Sequence, residues 1–394
     1  MNKKQITGFY YITHINNIIS ILKNGIFSHE QIIKRDIQYT RIYDAQIVSN
    51  RGNKQINGGK NLWNFANVYF QPRNPMLYRV IHEKDVNEIA VICINPDIIN
   101  RPDIYITNGN AANNITEIYP SGAITSKLTS EILRNTFNVE WWTEEDGSKR
   151  TIMAECLIPD VIPAEEINSI YVANAKNINL DICQEIDEYN IPIIAEPNMF
   201  FLPAWRRALT PNLSLVKGDM FFSKMQTFTV SVNTVGVMGK GLASRAKYQF
   251  PDVYVRYQDL CREKKLKMGK PILYKRESSL EEELSDDPKT MKTSDIGKWF
   301  LFFPTKTSWK ENADPKGIEE GLQWLLSNYK KEGIKSLAIP ALGCGLGNLS
   351  WNDIGPLMCN YLNNFDINVS IYLPTERDIP EEHTTKEFLL GRSQ

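Results

Sequence analysis

LFFPTKTSWK, residues Leu301–Lys310, and IPALGCGLGNLSW, residues Ile339–Trp351, decide how the second half of this chain folds. Each opens on a short apolar run of the kind that forms a buried strand. The first run breaks into a loop that carries a lysine, the second into a loop rich in glycine. A third junction of this type, VNTVGVMGKGLA, lies upstream at Val232–Ala243. Around the three, strand-like and helix-like stretches alternate: Leu213–Lys217, Phe228–Asn233, Ala243–Phe250, Trp299–Phe303, Ile318–Lys331, Ser336–Pro340, Asp353–Asn363 and Asn368–Leu373. Such alternation predicts an α/β domain, a mixed sheet between helices.

The glycines point to an anionic ligand. Gly236, Gly239 and Gly241 follow one expected strand and precede an expected helix, and Gly343, Gly345 and Gly347 repeat the device after another. Without a Cβ, such a backbone can approach a pyrophosphate and turn its N–H groups toward it, and a helix N-terminus adds a favourable dipole. GVMGKG is not a P-loop, because Lys240 is followed by Gly241 rather than Ser or Thr. Neither loop is a Rossmann fingerprint with a well-placed downstream acid. One such loop alone reads equally well as an ordinary tight turn. Two loops, together with Lys217-Gly218-Asp219 at the end of the first strand, are more specific.

Taken together, these motifs resemble the DarG type of macrodomain across roughly Asn212–Leu373. The resemblance implies ADP-ribose as the ligand and removal of ADP-ribose from DNA bases as the activity. It assigns Asp219 to the adenine amino group, although a helix N-cap suits the same position. It places Asn233 beside the distal ribose, with Val230 standing where the family has a further asparagine. It makes Lys306 of FPTK the catalytic amine, able to attack an anomeric carbon or polarise the leaving base. A lone loop lysine is otherwise a surface charge. Trp309 and Trp351 are assigned to packing.

The first half reads differently. Residues 6–27 predict a strand and then a helix closed by Asn24-Gly25, and 28–61 a long polar loop with a helical piece. Short strands are expected at Ile89–Ile94, Tyr105–Ile106, Thr151–Ile158 and Ile167–Val172, giving an α+β half-barrel. Within the third of these, Glu155 interrupts an apolar face shared with Met153 and Leu157. A carboxylate there is costly unless it has partners or lines a cleft. The alternative is a strand-end glutamate facing solvent.

QPRNPMLY at Gln71–Tyr78, the preceding LWNFANVYF, the opening FYYITHINNIISILKNGI and the strand AECLIP occur in the order found in the DarT family of DNA ADP-ribosyltransferases. The N-terminal half, roughly Thr7–Trp205, resembles that family. The resemblance implies an ADP-ribosyltransferase-like α+β fold with NAD as the substrate that donates the ADP-ribose. Glu155 matches the glutamate that stabilises the ribosyl cation, and Arg51 an arginine that acts on the acceptor base. Thr13 belongs to the NAD-contacting opening, where Tyr11 replaces the family's histidine and its phenol can still donate a hydrogen bond. Arg73 braces the NAD or DNA site, or fixes its loop through a salt bridge. His14 is structural, and Trp63, Phe65, Tyr69 and Phe70 chiefly pack the core.

At 394 residues the chain is long enough for two cores. The expected boundary falls in FFLPAWRRALTPN, giving a transferase at 1–207 and a macrodomain at 208–394, with 276–298 as a solvated insertion. Lys and Arg total 45 against 46 Asp and Glu, a balance that does not predict avid non-specific duplex binding but leaves room for a groove that concentrates Arg and Lys. Six scattered cysteines, no CxxC and four histidines argue against a metal site or a disulfide framework. No signal peptide and no run of about 18 apolar residues is seen, so a cytoplasmic protein without membrane association is expected. The combined reading is a fused toxin and antitoxin acting on single-stranded DNA, at thymidine or guanosine, each domain working on the other's product. Its rivals are a macrodomain that only reads the mark, a repair hydrolase beside an inactive transferase, and a protein or RNA acceptor.

Overall fold

The computed structural model describes residues 6–43, 45–56, 59–137, 139–174, 180–288 and 297–391. The chain forms two compact units. One comprises Met1–Phe201 with Glu281–Ser294, the other Leu202–Leu280 with Asp295–Gln394.

The first unit is built on an eight-stranded sheet. Its strands run in the order Ile193–Ala195, Ile167–Val172, Ile89–Ile94, Phe9–His14, Phe65–Tyr69, Glu155–Pro159, Tyr105–Thr107 and Ile118–Pro120. Pairing is antiparallel except at the Ile167–Val172 and Ile193–Ala195 pair. The Ile89–Ile94 strand is buried along its whole length, which is why it reads as an unbroken apolar run. The Ile18–Asn24 helix ends as its sequence predicts, with Gly25 at φ 83° as the cap. The catalytic-type strand starts at Glu155, not Thr151, because Ser148–Thr151 forms a helical turn instead. Helices stand where only irregular chain is expected, at Pro75–Glu83, Ser126–Phe137 and Leu180–Asp187. The first has an Asn74 N-cap followed by proline in the first turn, a start signal present in PRNPMLY itself.

The second unit holds a seven-stranded sheet in the order Trp205–Ala208, Leu213–Lys217, Asn368–Tyr372, Ser336–Pro340, Thr227–Asn233, Trp299–Lys306 and Ile272–Tyr274. The five inner strands are parallel and both edges antiparallel. This is the mixed sheet expected of a macrodomain. The stretch WRRA, expected as part of the junction, is an edge strand paired with Leu213–Lys217. The helix Pro251–Arg262 was not foreseen, although Pro251 at its first turn marks the start.

The stretch 276–298 is not a solvated insertion where the structure describes it. Leu280, Leu284, Ser285, Arg276 and Lys298 are all buried, and Glu281–Ser294 belongs to the first unit. Its apolar residues are sparse but sit three or four apart, enough for one buried turn at Leu280–Leu284. Residues 289–296 of the expected insertion lie outside the described residues.

Candidate functional site

Glu155 is fully buried at the start of its strand, directly across from Tyr69. Arg51, at the end of the Ala45–Gly52 helix, reaches it with both terminal guanidinium nitrogens, Nη2 at 2.8 Å and Nη1 at 3.3 Å. The Ala111 backbone N–H donates to the same carboxylate at 2.9 Å. The turn that presents Ala111 is held by Thr107, whose hydroxyl accepts the Glu155 N–H at 2.8 Å and donates to the Gly109 carbonyl at 2.6 Å. A buried carboxylate costs several kcal/mol without partners, on the order of each ion's desolvation; here it has a bidentate cation and a backbone donor. Burial works against the Arg51 charge, but Glu155 outweighs it and Arg51 holds its proton more firmly than a free arginine. Burial, and then the Glu155 charge, push the Tyr69 phenol well up, so it stays neutral. The arginine's helix can come this close because Gly52 lies flat on the Trp63 indole, where a Cβ would fall 2.7 Å from Cε2.

Thr13 and Tyr11 share one face of the Phe9–His14 strand. Thr13 is buried, and its hydroxyl accepts from Asn17 Nδ2 at 3.1 Å. Asn17 also closes a two-way pair with the backbone of Thr40, at 2.9 Å to its carbonyl and 2.8 Å from its N–H. One side chain thus ties the loop through Thr40 to the opening strand. Burial pushes the half-buried Tyr11 phenol up to about 12, so it remains a hydrogen-bond donor at neutral pH. His14 caps the turn that follows it, accepting from the Asn16 N–H at 3.1 Å. Arg73 lies with its guanidinium 4.7 Å from the centre of the Phe201 ring. It lines a cavity of about 320 Å³ with Tyr10, Gln71, Glu140, Trp142 and Glu196. Phe65, Tyr69 and Phe70 are core residues.

In the second unit the two reactive candidates meet at the sheet's C-terminal end. Asn233 and Lys306 are register partners on neighbouring parallel strands. Asn233 is buried, with both ends of its amide hydrogen-bonded. Its Oδ1 accepts from the N–H groups of Val235 and Val237 and from the Tyr257 hydroxyl, and its Nδ2 donates to the Val237 carbonyl at 2.6 Å. The side chain therefore shapes the loop that carries Gly236, at φ 83°, and Gly239. Gly241 opens the next helix. Lys306 is half-buried, its Nζ donating to the Glu311 carbonyl at 3.2 Å. The second glycine loop follows Ser336–Pro340. Gly343 and Gly345 form its turn, and Gly347 packs so closely on it that a Cβ would meet the Gly343 carbonyl at 2.6 Å. Asp219 caps the Met220–Phe222 turn through the Phe221 N–H and forms an ion pair with Arg245 at 2.5 Å. Trp351 is buried as expected, but Trp309 is 56% exposed and does not pack in the core.

Sequence reasoning missed Asn17, Thr107, Ala111, Arg245 and Tyr257. It also missed Glu376, whose carboxylate stands between the two glycine loops. Cβ atoms built on Gly241 and Gly345 would lie 3.3 and 3.2 Å from its oxygens.

Two family models match the chain. One, described as ssDNA thymidine ADP-ribosyltransferase, DarT, matches residues 10–201, and the other, a macro domain, matches 289–358. A Thermosipho africanus protein (strain H17ap60334) described as a DNA ADP-ribosyl transferase-DNA ADP-ribosyl glycohydrolase fusion protein is 52% identical over 382 residues, covering 97% of each chain. The chain belongs to this family of fusion proteins. The solved structure of Thermosipho africanus DarTG in complex with ADP-ribose superposes with a TM-score of 0.91 at 52% identity, covering 97% of this chain and 99% of that one. A DNA ADP-ribosyl glycohydrolase of Thermus aquaticus is 29% identical over 173 residues, 44% of this chain and 43% of its own. In this fusion family's terms, the unit that holds Glu155 and Arg51 is the transferase and the unit that holds Lys306 is the glycohydrolase. No helix among the described residues is long and apolar enough to cross a membrane.

Proposed function

We propose that the chain transfers ADP-ribose from NAD to a base in single-stranded DNA with its first unit and hydrolyses that ADP-ribose off with its second. The observation that carries the transferase reading is the buried Arg51–Glu155 pair, presented on the DarT-like sheet. The bond between nicotinamide and ribose breaks with positive charge building on the ribose. A fixed carboxylate beside it stabilises that charge without reorganising, because Arg51 and the Ala111 N–H already hold it in place. Arg51, paired with Glu155, also offers N–H groups to the edge of an incoming base, so acceptor and cation meet on one ion pair. A thymine N3 is hidden in a duplex, which favours a single-stranded or extruded substrate.

In the second unit Lys306 supplies the amine and Asn233 builds the loop beside it. The glycine loops cradle the diphosphate, and Asp219, once released from Arg245, faces the adenine. Fusion fixes eraser and writer at one to one and raises the effective concentration of each for the other's product. We place the pair in the cytoplasm, where the six free thiols remain reduced.

Incubation with labelled NAD and separate DNA, RNA and protein acceptors, read by mass spectrometry, tests the reading. Label on single-stranded DNA that disappears on longer incubation is expected; label on protein or RNA alone overturns it, and label on DNA that persists makes the macrodomain a reader. Two substitutions probe the sites further. Asn17→Ala leaves the Thr40 backbone without its partner, a loss of about 1–2 kcal/mol. It is expected to raise KM for NAD about fivefold to thirtyfold with kcat little changed, measured by initial rates over NAD concentration. Glu376→Gln removes a negative charge from between the glycine loops and is expected to tighten ADP-ribose binding a few-fold in titration calorimetry, the gain fading with added salt.

A further inference from the structure

The segment Glu281–Asp287 is encoded between two strands of the macrodomain sheet, Ile272–Tyr274 and Trp299–Lys306, yet it packs as part of the transferase unit. Its contacts are buried and specific. Asp286 accepts from Arg79 Nε at 2.6 Å, and Arg79, with a side chain 1% exposed, also pairs with Glu83 at 3.0 Å. The Leu284 carbonyl accepts from the indole N–H of the fully buried Trp142 at 2.9 Å. Trp142 stands edge-on to Phe201, with ring centres 5.9 Å apart. Phe201 in turn carries Tyr78 at 5.3 Å and the Arg73 guanidinium at 4.7 Å. A continuous packed path therefore runs from the segment to the helix Pro75–Glu83 and to Arg73 on the wall of the cavity. The charges of Asp286 and Arg79 are both felt at Tyr69, the cross-strand neighbour of Glu155.

We propose that this acidic segment is a working part of the transferase, with Asp286 as a positioning residue, so that the transferring site is complete only when sequence lying within the macrodomain half is present. Two physical effects make it so. Arg79 is a buried cation flanked by two carboxylates, so the cluster carries a net negative charge; neutralising Asp286 removes that charge, which is felt at Tyr69 beside Glu155, and weakens the field that favours a cation developing at the ribose. The Leu284–Trp142 bond fixes the ring stack that holds Arg73. The consequence is regulatory: severing the chain between the two units does not yield an independent transferase, because a piece of it stays with the eraser.

The inference rests on the transferase reading above, and the test separates the two. Full-length chain carrying Lys306→Ala, so that product accumulates, is compared with the same chain carrying Asp286→Asn or Asp286→Glu. Asp286→Asn is expected to lower kcat for labelling a single-stranded oligonucleotide at least tenfold, with KM for NAD changed less than threefold. Asp286→Glu is expected to recover kcat to within threefold of the parent, and ADP-ribose affinity of the macrodomain is expected to be the same in all three. Transfer by Asp286→Asn within twofold of the parent overturns the proposal, as does a loss that Asp286→Glu fails to restore. If the parent transfers no label, the functional reading falls; hydrogen exchange of Pro75–Glu83 then decides the structural claim, which is lost if Asp286→Asn leaves its protection unchanged.

Discussion

Glu155→Ala is expected to lower ADP-ribosyl transfer to single-stranded DNA by about a hundredfold to a thousandfold, the usual cost of removing a preorganised group that stabilises charge in a transition state. It also strips Arg51 of its buried partner, which destabilises the unit by about 3–5 kcal/mol. Rate and stability must therefore be separated. Glu155→Gln does this, since its amide oxygen still accepts from the Ala111 N–H and keeps the shape of the site. The expected result is a rate as low as that of the alanine variant with a smaller fall in melting temperature. Arg51→Lys is expected to fail as well, because a lysine cannot make the two parallel contacts that hold the carboxylate. A labelled-oligonucleotide assay beside thermal melts checks all three. Glu155→Gln working at the parent rate would show that the charge is not used.

What the sequence made legible follows from what kind of signal each residue leaves. Glu155 is visible because it breaks an apolar alternation, and the structure gives the reason: the strand is buried on that face and the carboxylate has its own cation. Lys306 is visible because a whole motif surrounds it. The partners of both are harder to see. The Ala111 contact is made by backbone, so no side chain advertises it. Asn233 reads as a ligand-facing amide, yet its hydrogen bonds shape its own loop, and one comes from Tyr257 on a helix that was not foreseen. Asp219 fits both readings offered for it, capping a turn and facing Arg245 rather than standing open. The stretch 276–298 is misleading by composition: so many charges predict solvent, but Asp286 and Leu284 answer the buried partners Arg79 and Trp142. Trp309, grouped with Trp351 by its motif, is exposed because it lies beyond the strand, in a turn.

Lys306→Ala is expected to turn the chain from self-limiting to toxic. The transferase is untouched, so modified DNA accumulates once the amine is gone. Loss of a nucleophile or proton-transferring group costs about a hundredfold to ten-thousandfold in hydrolysis, far more than the few-fold change expected in ADP-ribose binding. Binding should persist because the glycine loops and the Asn233-built turn do not depend on the lysine, whose contact given by the structure is to the Glu311 carbonyl. Lys306→Arg should not restore hydrolysis, since a guanidinium keeps its proton and cannot attack. Asn233→Ala should differ from both: it removes the bonds that shape the first glycine loop, and is expected to weaken ADP-ribose binding together with hydrolysis. Single-turnover removal of ADP-ribose from a modified oligonucleotide, alongside calorimetry, distinguishes these patterns. The decisive growth experiment combines the two sites. Cells expressing Lys306→Ala should stop dividing, and the added Glu155→Ala should let them grow, because a missing eraser harms only where a writer works. Normal growth with Lys306→Ala alone, with no more of the mark on the DNA than in cells expressing the parent chain, would mean that the second unit does not remove it through this lysine.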